Sequence, residues 1–140
     1  MGCMDWIELD DAGFRYELTG TGDNTLVLVH EMGGTLESWD CVIPRLEGER
    51  AILRYDTRGA GMSTKIRGTG NLDRFADDIQ GLLDRLGRAG PVTIAGGAVG
   101  GGVSLHFAHR HRDRVKGVIA MGPATGIPAE RRSQILSLIH

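Results

Sequence analysis

Apolar residues recur along this chain at three spacings, and their order predicts a layered α/β domain. Residues 4–9 lead through the turn Asp10-Asp11-Ala12-Gly13 into Phe14-Arg15-Tyr16-Glu17-Leu18, where apolar and charged positions alternate. That period of two predicts a hairpin of two exposed strands. Leu26-Val27-Leu28-Val29 is instead a continuous apolar run ending at His30, the pattern of a strand covered on both faces. Helical signals follow over 36–46. Ala51-Ile52-Leu53-Arg54-Tyr55 reads as the next strand, ending at Asp56, and the Gly-, Thr- and Ser-rich stretch 58–70 reads as loop. Leu72, Phe75, Ala76, Ile79, Leu82, Leu83 and Leu86 then keep helical spacing over four turns, with Asn71 placed to cap them. Pro91-Val92-Thr93-Ile94-Ala95 is a second buried strand, 99–109 a helix and 115–121 a further strand. Strands alternating with helices predict a mostly parallel, doubly wound sheet with right-handed crossovers. There is no internal repeat and no interdomain linker.

Composition narrows the partners. With 140 residues, 41% hydrophobic and 24% charged, the chain is long enough to bury a core. A net charge of −2 gives no electrostatic case for nucleic acid or an anionic membrane, and Arg110, Arg112, Arg114, Arg131 and Arg132 are interleaved with other residue types. No apolar run approaches a membrane span, and the acidic, mixed N-terminus does not resemble a signal peptide. Cys3 and Cys41 form neither a metal-ligand nor a CxxC pattern; they read as reduced thiols of a cytoplasmic protein. No metal and no cofactor is expected. The 22 glycines against 4 prolines cluster at the joints between apolar runs, as tight strand-to-helix turns require.

One such joint carries chemistry. The strand ending at Ala95 turns into the helix through Gly96-Gly97-Ala98-Val99-Gly100-Gly101-Gly102. Small residues two before and two after a central position let strand and helix cross closely. In the G-x-S-x-G elbow that turn lifts a serine hydroxyl above the sheet and aims the next backbone N–H at a developing oxyanion. Here the frame Gly96-x-Ala98-x-Gly100 is intact and its centre is Ala98, whose methyl cannot attack a carbonyl. His30-Glu31-Met32-Gly33-Gly34 stands directly after an apolar strand, where a second oxyanion-hole loop belongs, and its glycines allow the Met32 N–H to turn toward the site. Met32 and Val99 are thus the two candidate backbone donors, and Ala98 the candidate nucleophile position.

With these elements in place, the chain resembles the N-terminal part of α/β-hydrolase fold proteins. Arg54-Tyr55-Asp56-Thr57-Arg58-Gly59-Ala60-Gly61-Met62-Ser63 is similar to the R-Y-D-x-R-G-x-G-x-S stretch of 3-oxoadipate enol-lactone hydrolases, as are Glu37-Ser38-Trp39-Asp40 and Pro44-Arg45-Leu46. The Asp-x-Arg-Gly turn is shared with many esterases and carbon–carbon bond hydrolases. The resemblance implies residues 1–122 as the N-terminal part of the hydrolase core, apparently cut short after the strand ending near Met121, and 123–140 as the start of a cap or connecting region. It implies a hydrolase acting on an ester, a lactone or a related activated carbonyl compound through a serine, a histidine base and an orienting acid. The last two lie, in that family, beyond His140. Three departures stand out: Ala98, Glu31 at a position where many relatives carry glycine, and the absent acid and histidine.

Plainer readings apply to the other polar residues. His30 reads as a structural hydrogen-bonding residue rather than a base; Asp56 and Arg58 as fixing their own turn; Glu31 as solvated or paired; His106, His109 and His111 as surface residues; Ser63 and Ser104 as a turn and a helix residue. Cys41, on the first helix, reads as a small buried hydrophobe. Nucleotide binding is disfavoured, because the glycines at 96–102 fit neither G-x-G-x-x-G nor the P-loop spacing. Ala98 has two explanations: a Ser→Ala replacement that traps a ligand, or a natural residue of a non-catalytic binding or interaction module. The open edge of the last strand and the apolar stripe Ile135, Leu138 and Ile139 lead to a further expectation, that a homo-oligomer, a second chain or a missing remainder completes the sheet.

Overall fold

The computed structural model describes residues 4–9, 11–46, 48–65 and 71–124. Strands β1 (Met4–Glu8), β2 (Gly13–Thr19), β3 (Asn24–Val29), β4 (Arg50–Tyr55), β5 (Val92–Gly97) and β6 (Val115–Met121) form one sheet in the order β1-β2-β4-β3-β5-β6. β3 runs parallel to β4 and β5, and β5 parallel to β6; β1–β2 and β2–β4 are antiparallel. Helices α1 (Ile43–Leu46), α2 (Leu72–Arg85) and α3 (Val99–Arg110) connect them.

The continuous apolar runs divide between two faces. Val27, Val29, Leu53, Tyr55 and Ile94 pack with Ala76, Ile79, Leu82 and Leu83 of α2 and Val103 and Phe107 of α3. The intervening Leu26, Leu28, Ile52 and Ala95 pack instead with Ile43, Trp39 and Leu46. Burying each large side chain stabilises the fold by roughly 1.5–3 kcal/mol, so every residue of these runs contributes, on one side or the other. α2 starts as its sequence predicts: the Asn71 side chain accepts the Arg74 N–H at 2.7 Å.

Three expectations need correcting. β2 is not an exposed strand; it lies between β1 and β4 and buries Phe14 and Glu17. The alternation misleads because the charged positions are paired: Glu17 receives two hydrogen bonds from Arg54 at 2.8 and 3.1 Å, and Arg15 reaches Asp56. The helical signal over 36–46 resolves into a 3-10 turn, Leu36–Trp39, and the short α1. Pro44 lacks the N–H that would join the two into one helix. Cys41 therefore falls in the connecting turn and is an exposed free thiol, not a buried one. Cys3, the stripe at 135–139 and nearly all of 123–140 lie outside the described residues. Among the described residues, no strand covers the outer edge of β6, on which Ile119 and Met121 are exposed.

Candidate active site

β5 ends at Gly97, α3 begins at Val99, and the single residue between them is Ala98. Its backbone, at φ 51° and ψ −118°, makes it the one non-glycine with positive φ among the described residues. Such a conformation costs an L-residue of order 1–3 kcal/mol and persists only where the surroundings over-determine it. Here they do. A Cβ on Gly96 would lie 2.3 Å from the Gly100 carbonyl oxygen, and one on Gly100 would lie 2.2 Å from the Val29 oxygen and 2.6 Å from that of His30. Both glycines are dictated by backbone approaching backbone. The Ala98 N–H donates to the Met121 carbonyl at 3.0 Å, and the Ala98 carbonyl accepts the N–H groups of Gly102 (3.1 Å) and Ala124 (2.8 Å). Ala98 itself is exposed at the C-terminal end of the sheet. Val99, as the first helical residue, has an N–H with no intrahelical acceptor, at the positive end of the helix.

β3 lies beside β5 with Val29 opposite Gly96, so its following loop emerges at the same end of the sheet. There Glu31-Met32-Gly33-Gly34 forms a turn closed by the Gly34 N–H on the Glu31 carbonyl at 3.1 Å, with Gly33 at φ 80°, as a type II turn requires at its third residue. The sequence-predicted positions 98, 99 and 32 thus occupy the ends of two adjacent parallel strands.

His30 is buried and both its ring nitrogens are engaged. Nε2 accepts the Thr57 N–H at 3.0 Å, so Nδ1 carries the proton and donates to the Glu31 carbonyl at 2.7 Å. Glu31 is exposed and accepts the Ser38 hydroxyl at 2.7 Å. Burial pushes its carboxyl up, but the Ser38 hydroxyl and its own backbone N–H outweigh this and hold it below the usual range.

Asp56 and Arg58 do fix the loop after β4, though not by pairing with each other. The fully buried Asp56 carboxylate accepts from Arg15 at 2.8 and 3.1 Å, from the Leu36 N–H at 2.8 Å and from the Met62 N–H at 2.9 Å. Burial favours its neutral form, yet Arg15 and the two amides together hold it below its ordinary value. Arg58 forks onto Asp78 at 2.8 and 3.0 Å and also reaches Asp11, while its guanidinium lies 5.7 Å from the Phe14 ring centre. Burial dominates Asp78, whose carboxyl is raised despite Arg58. The Ser63 hydroxyl donates to the Asp56 carbonyl at 2.7 Å, and the Ser104 hydroxyl to that of Gly100 at 2.8 Å.

The histidines of α3 and of its C-terminal cap are engaged elsewhere or exposed: His106 pairs with Asp73, and the capping residue His111 with Asp77, while His109 is exposed. A cavity of about 480 Å³ also lies elsewhere, against α2, lined by Arg58, Arg74, Asp78 and Leu9 among others; Ala98 and Met32 take no part in it. No group of described His, Cys, Asp and Glu residues could hold a metal ion, and no described helix is long and apolar enough to cross a membrane. Arg15 and Thr57 were not singled out from the sequence as partners of this site. Their partners Asp56 and His30 lie 41 and 27 positions away, and no local pattern signals such pairs.

A family model described as alpha/beta hydrolase fold matches residues 24–138. The chain is 40% identical over 100 residues to the dihydrolipoyllysine-residue acetyltransferase component of the acetoin cleaving system of Pseudomonas putida, covering 71% of this chain and 27% of that one. It is 35% identical over 122 residues to the 2-hydroxy-6-oxononadienedioate/2-hydroxy-6-oxononatrienedioate hydrolase of Burkholderia vietnamiensis, covering 83% of this chain and 42% of that one. A hydrolase from Pseudomonas aeruginosa superposes with a TM-score of 0.87 at 27% identity over 98% of this chain and 53% of its own. The enol-lactonase from Burkholderia xenovorans gives 0.76 at 27% over 81% and 45%. The chain therefore spans about a quarter to two-fifths of the length of these curated relatives, and its likeness to enol-lactone hydrolases is one among several hydrolase types.

Proposed function

The chain belongs to the α/β-hydrolase fold family, and on that premise we propose that it carries the scaffold and oxyanion site of a hydrolase for esters, lactones or related activated carbonyl compounds. In this reading Ala98 occupies the nucleophile position, and the chain binds such a compound without turning it over. The observation that carries the proposal is the Ala98 backbone, held at φ 51° between two glycines whose Cβ positions are filled by other backbone. That geometry serves to present a side chain at the apex of the turn, beside a free helix-terminal N–H. A serine there would attack the carbonyl carbon once a base removed its proton, and the carbonyl oxygen would take up negative charge. The Val99 and Met32 N–H groups are the donors proposed to receive it, a contribution worth about 10²–10³ in rate for each donor in comparable sites. Alanine supplies neither lone pair nor proton, so the first bond cannot form. The small-molecule substrate is the expected partner, and the chemistry needs no cofactor.

A second reading has its own observation. Both His30 nitrogens are committed to backbone groups and Glu31 to Ser38, so the polar side chains nearest the turn offer no ready base. In the hydrolase reading the base must then come from outside these residues; the second reading, a non-catalytic binding module on the hydrolase scaffold, rests on Ala98 being the residue at the apex of the turn. One experiment separates the two. The chain and its Ala98→Ser variant are assayed with an activated ester, each alone and extended to the length of the relatives. The hydrolase reading expects turnover only for the extended serine variant, because an unassisted serine hydroxyl is a poor nucleophile. Saturable turnover by the alanine chain, blocked by a ligand of the site, would overturn the mechanism; inactivity of every form would favour the binding module.

A further inference from the structure

We infer that His30 and Asp56 are positioning residues that set the Met32 N–H, through a reciprocal clamp between the loops after β3 and β4. The inference deepens the functional reading above and rests on it for its catalytic consequence, but not for its structural content. Residues 31–35 between β3 and the 3-10 turn contain three consecutive small or turn-forming residues, Gly33, Gly34 and Thr35, and would otherwise be free to re-aim Met32. Two hydrogen bonds bracket this segment, and they run in opposite directions. Before it, the side chain of His30 takes a backbone proton from the β4 loop, at Thr57. After it, the backbone N–H of Leu36 is taken by a side chain of the β4 loop, Asp56.

Each clamp is itself fixed. His30 spends its Nδ1 proton on the Glu31 carbonyl, which also closes the Met32-Gly33 turn by accepting the Gly34 N–H. Asp56 is held by the Arg15 fork and the Met62 N–H, and Gly61 has no room for a Cβ because the Asp56 carboxylate lies 2.2 Å from it. His30 and Asp56 are both at least nine-tenths buried, so water does not compete for either bond. The β4 loop is thereby the template on which the β3 loop is cast. The two bonds govern an N–H that neither residue touches.

The test uses the unaltered chain first. Nitrogen spectra of the imidazoles should show His30 as the Nδ1–H tautomer with an unprotonated Nε2; the opposite tautomer or an imidazolium at neutral pH would overturn the clamp without any variant. His30→Phe then removes the acceptor, and His30→Gln can restore it. Backbone ¹⁵N relaxation should show Met32 and Gly33 losing order in the phenylalanine variant and recovering it in the glutamine variant, while Val27, Val99 and the other core amides hold. Unchanged order at Met32 and Gly33, or an equal loss throughout the sheet, would refute positioning. In the extended Ala98→Ser form, His30→Phe should lower kcat by about 10²-fold with KM altered less than threefold, and His30→Gln should recover most of it. If that form proves inactive with His30 in place, the hydrolase reading has failed; the relaxation result still decides the clamp.

Discussion

Gly100→Ala should destabilise the chain severely while Gly97→Ala, three residues away in the same turn, should not. The new Cβ at position 100 would sit 2.2 Å from the Val29 oxygen, 2.6 Å from the His30 oxygen and 2.8 Å from the Val29 carbonyl carbon, against ordinary contact beginning at 3.4 Å. All three obstacles are backbone atoms of a central strand and its exit, so no rotamer change relieves the overlap. The first turn of α3 would have to retreat by about 1 Å, opening its packing against β3. Overpacking of this kind costs about 1–3 kcal/mol and occasionally more; with rigid backbone on both sides, about 3 kcal/mol is expected, or roughly 10 °C in Tm for a domain of this size. At Gly97 the nearest obstacle is the Met121 oxygen at 4.0 Å, and the cost should stay below about 0.5 kcal/mol. Urea unfolding of the three proteins at pH 7, with ΔG compared at constant m, measures both. Equal stability of Gly100→Ala and the parent, or an equal loss in Gly97→Ala, would show that the glycines are not there for the crossing of strand and helix.

Ala98→Gly should stabilise the fold by about 1 kcal/mol, because relief of the φ 51° strain exceeds the entropy glycine adds to the unfolded chain; a lower Tm would show that the turn is not strained. Asp56, its carboxyl held low in the fold, contributes stability that is complete above the unfolded carboxylate range near pH 4 and is lost as pH falls through the lower folded value. The stability gap between the parent and Asp56→Asn should therefore narrow on acidification from pH 6 to pH 3, and a constant gap in denaturant titrations would refute this. Asp78→Ala should cost about 3–5 kcal/mol, since it strips the buried Arg58 of its forked partner; a loss below 1 kcal/mol by thermal unfolding would mean that Asp11 suffices. The outer edge of β6, which no described strand covers and on which Ile119 and Met121 are exposed, should drive self-association at micromolar concentration, suppressed by Ile119→Lys. A monomeric sedimentation profile combined with a sharp cooperative transition would count against it.

What was legible in the residues follows from how local each signal is. The apolar run at 26–29 announces a doubly covered strand because every one of its side chains must find a core, and it does so on alternating faces. Asn71 announces its helix because a cap acts within three residues. The turn at Ala98 was visible through its flanking glycines, whose requirement is written in neighbouring backbone. The hairpin misled for the opposite reason: Glu17 is buried by an arginine 37 positions away, and alternation along β2 cannot reveal that. Cys41 was misplaced because Pro44 divides the helix that was expected to bury it. The loop clamp was illegible altogether, since each of its hydrogen bonds joins groups 20 or more positions apart.

The strand order has a consequence in time. β3 and β4 pair at the centre, the β1–β2 hairpin lies on one side of them, and β5 and then β6 add successively on the other. As the chain emerges from a ribosome, β4 can fill the place between β2 and β3, after which the sheet grows outward, β5 docking on β3 and β6 on β5. The turn at Ala98 is fastened from outside α3 by the Met121 carbonyl and the Ala124 N–H, both of which follow the other described strands in the chain. Nascent chain that has completed β5 can thus leave this turn relaxed. Its strain is imposed once the six described strands that must bear it already exist.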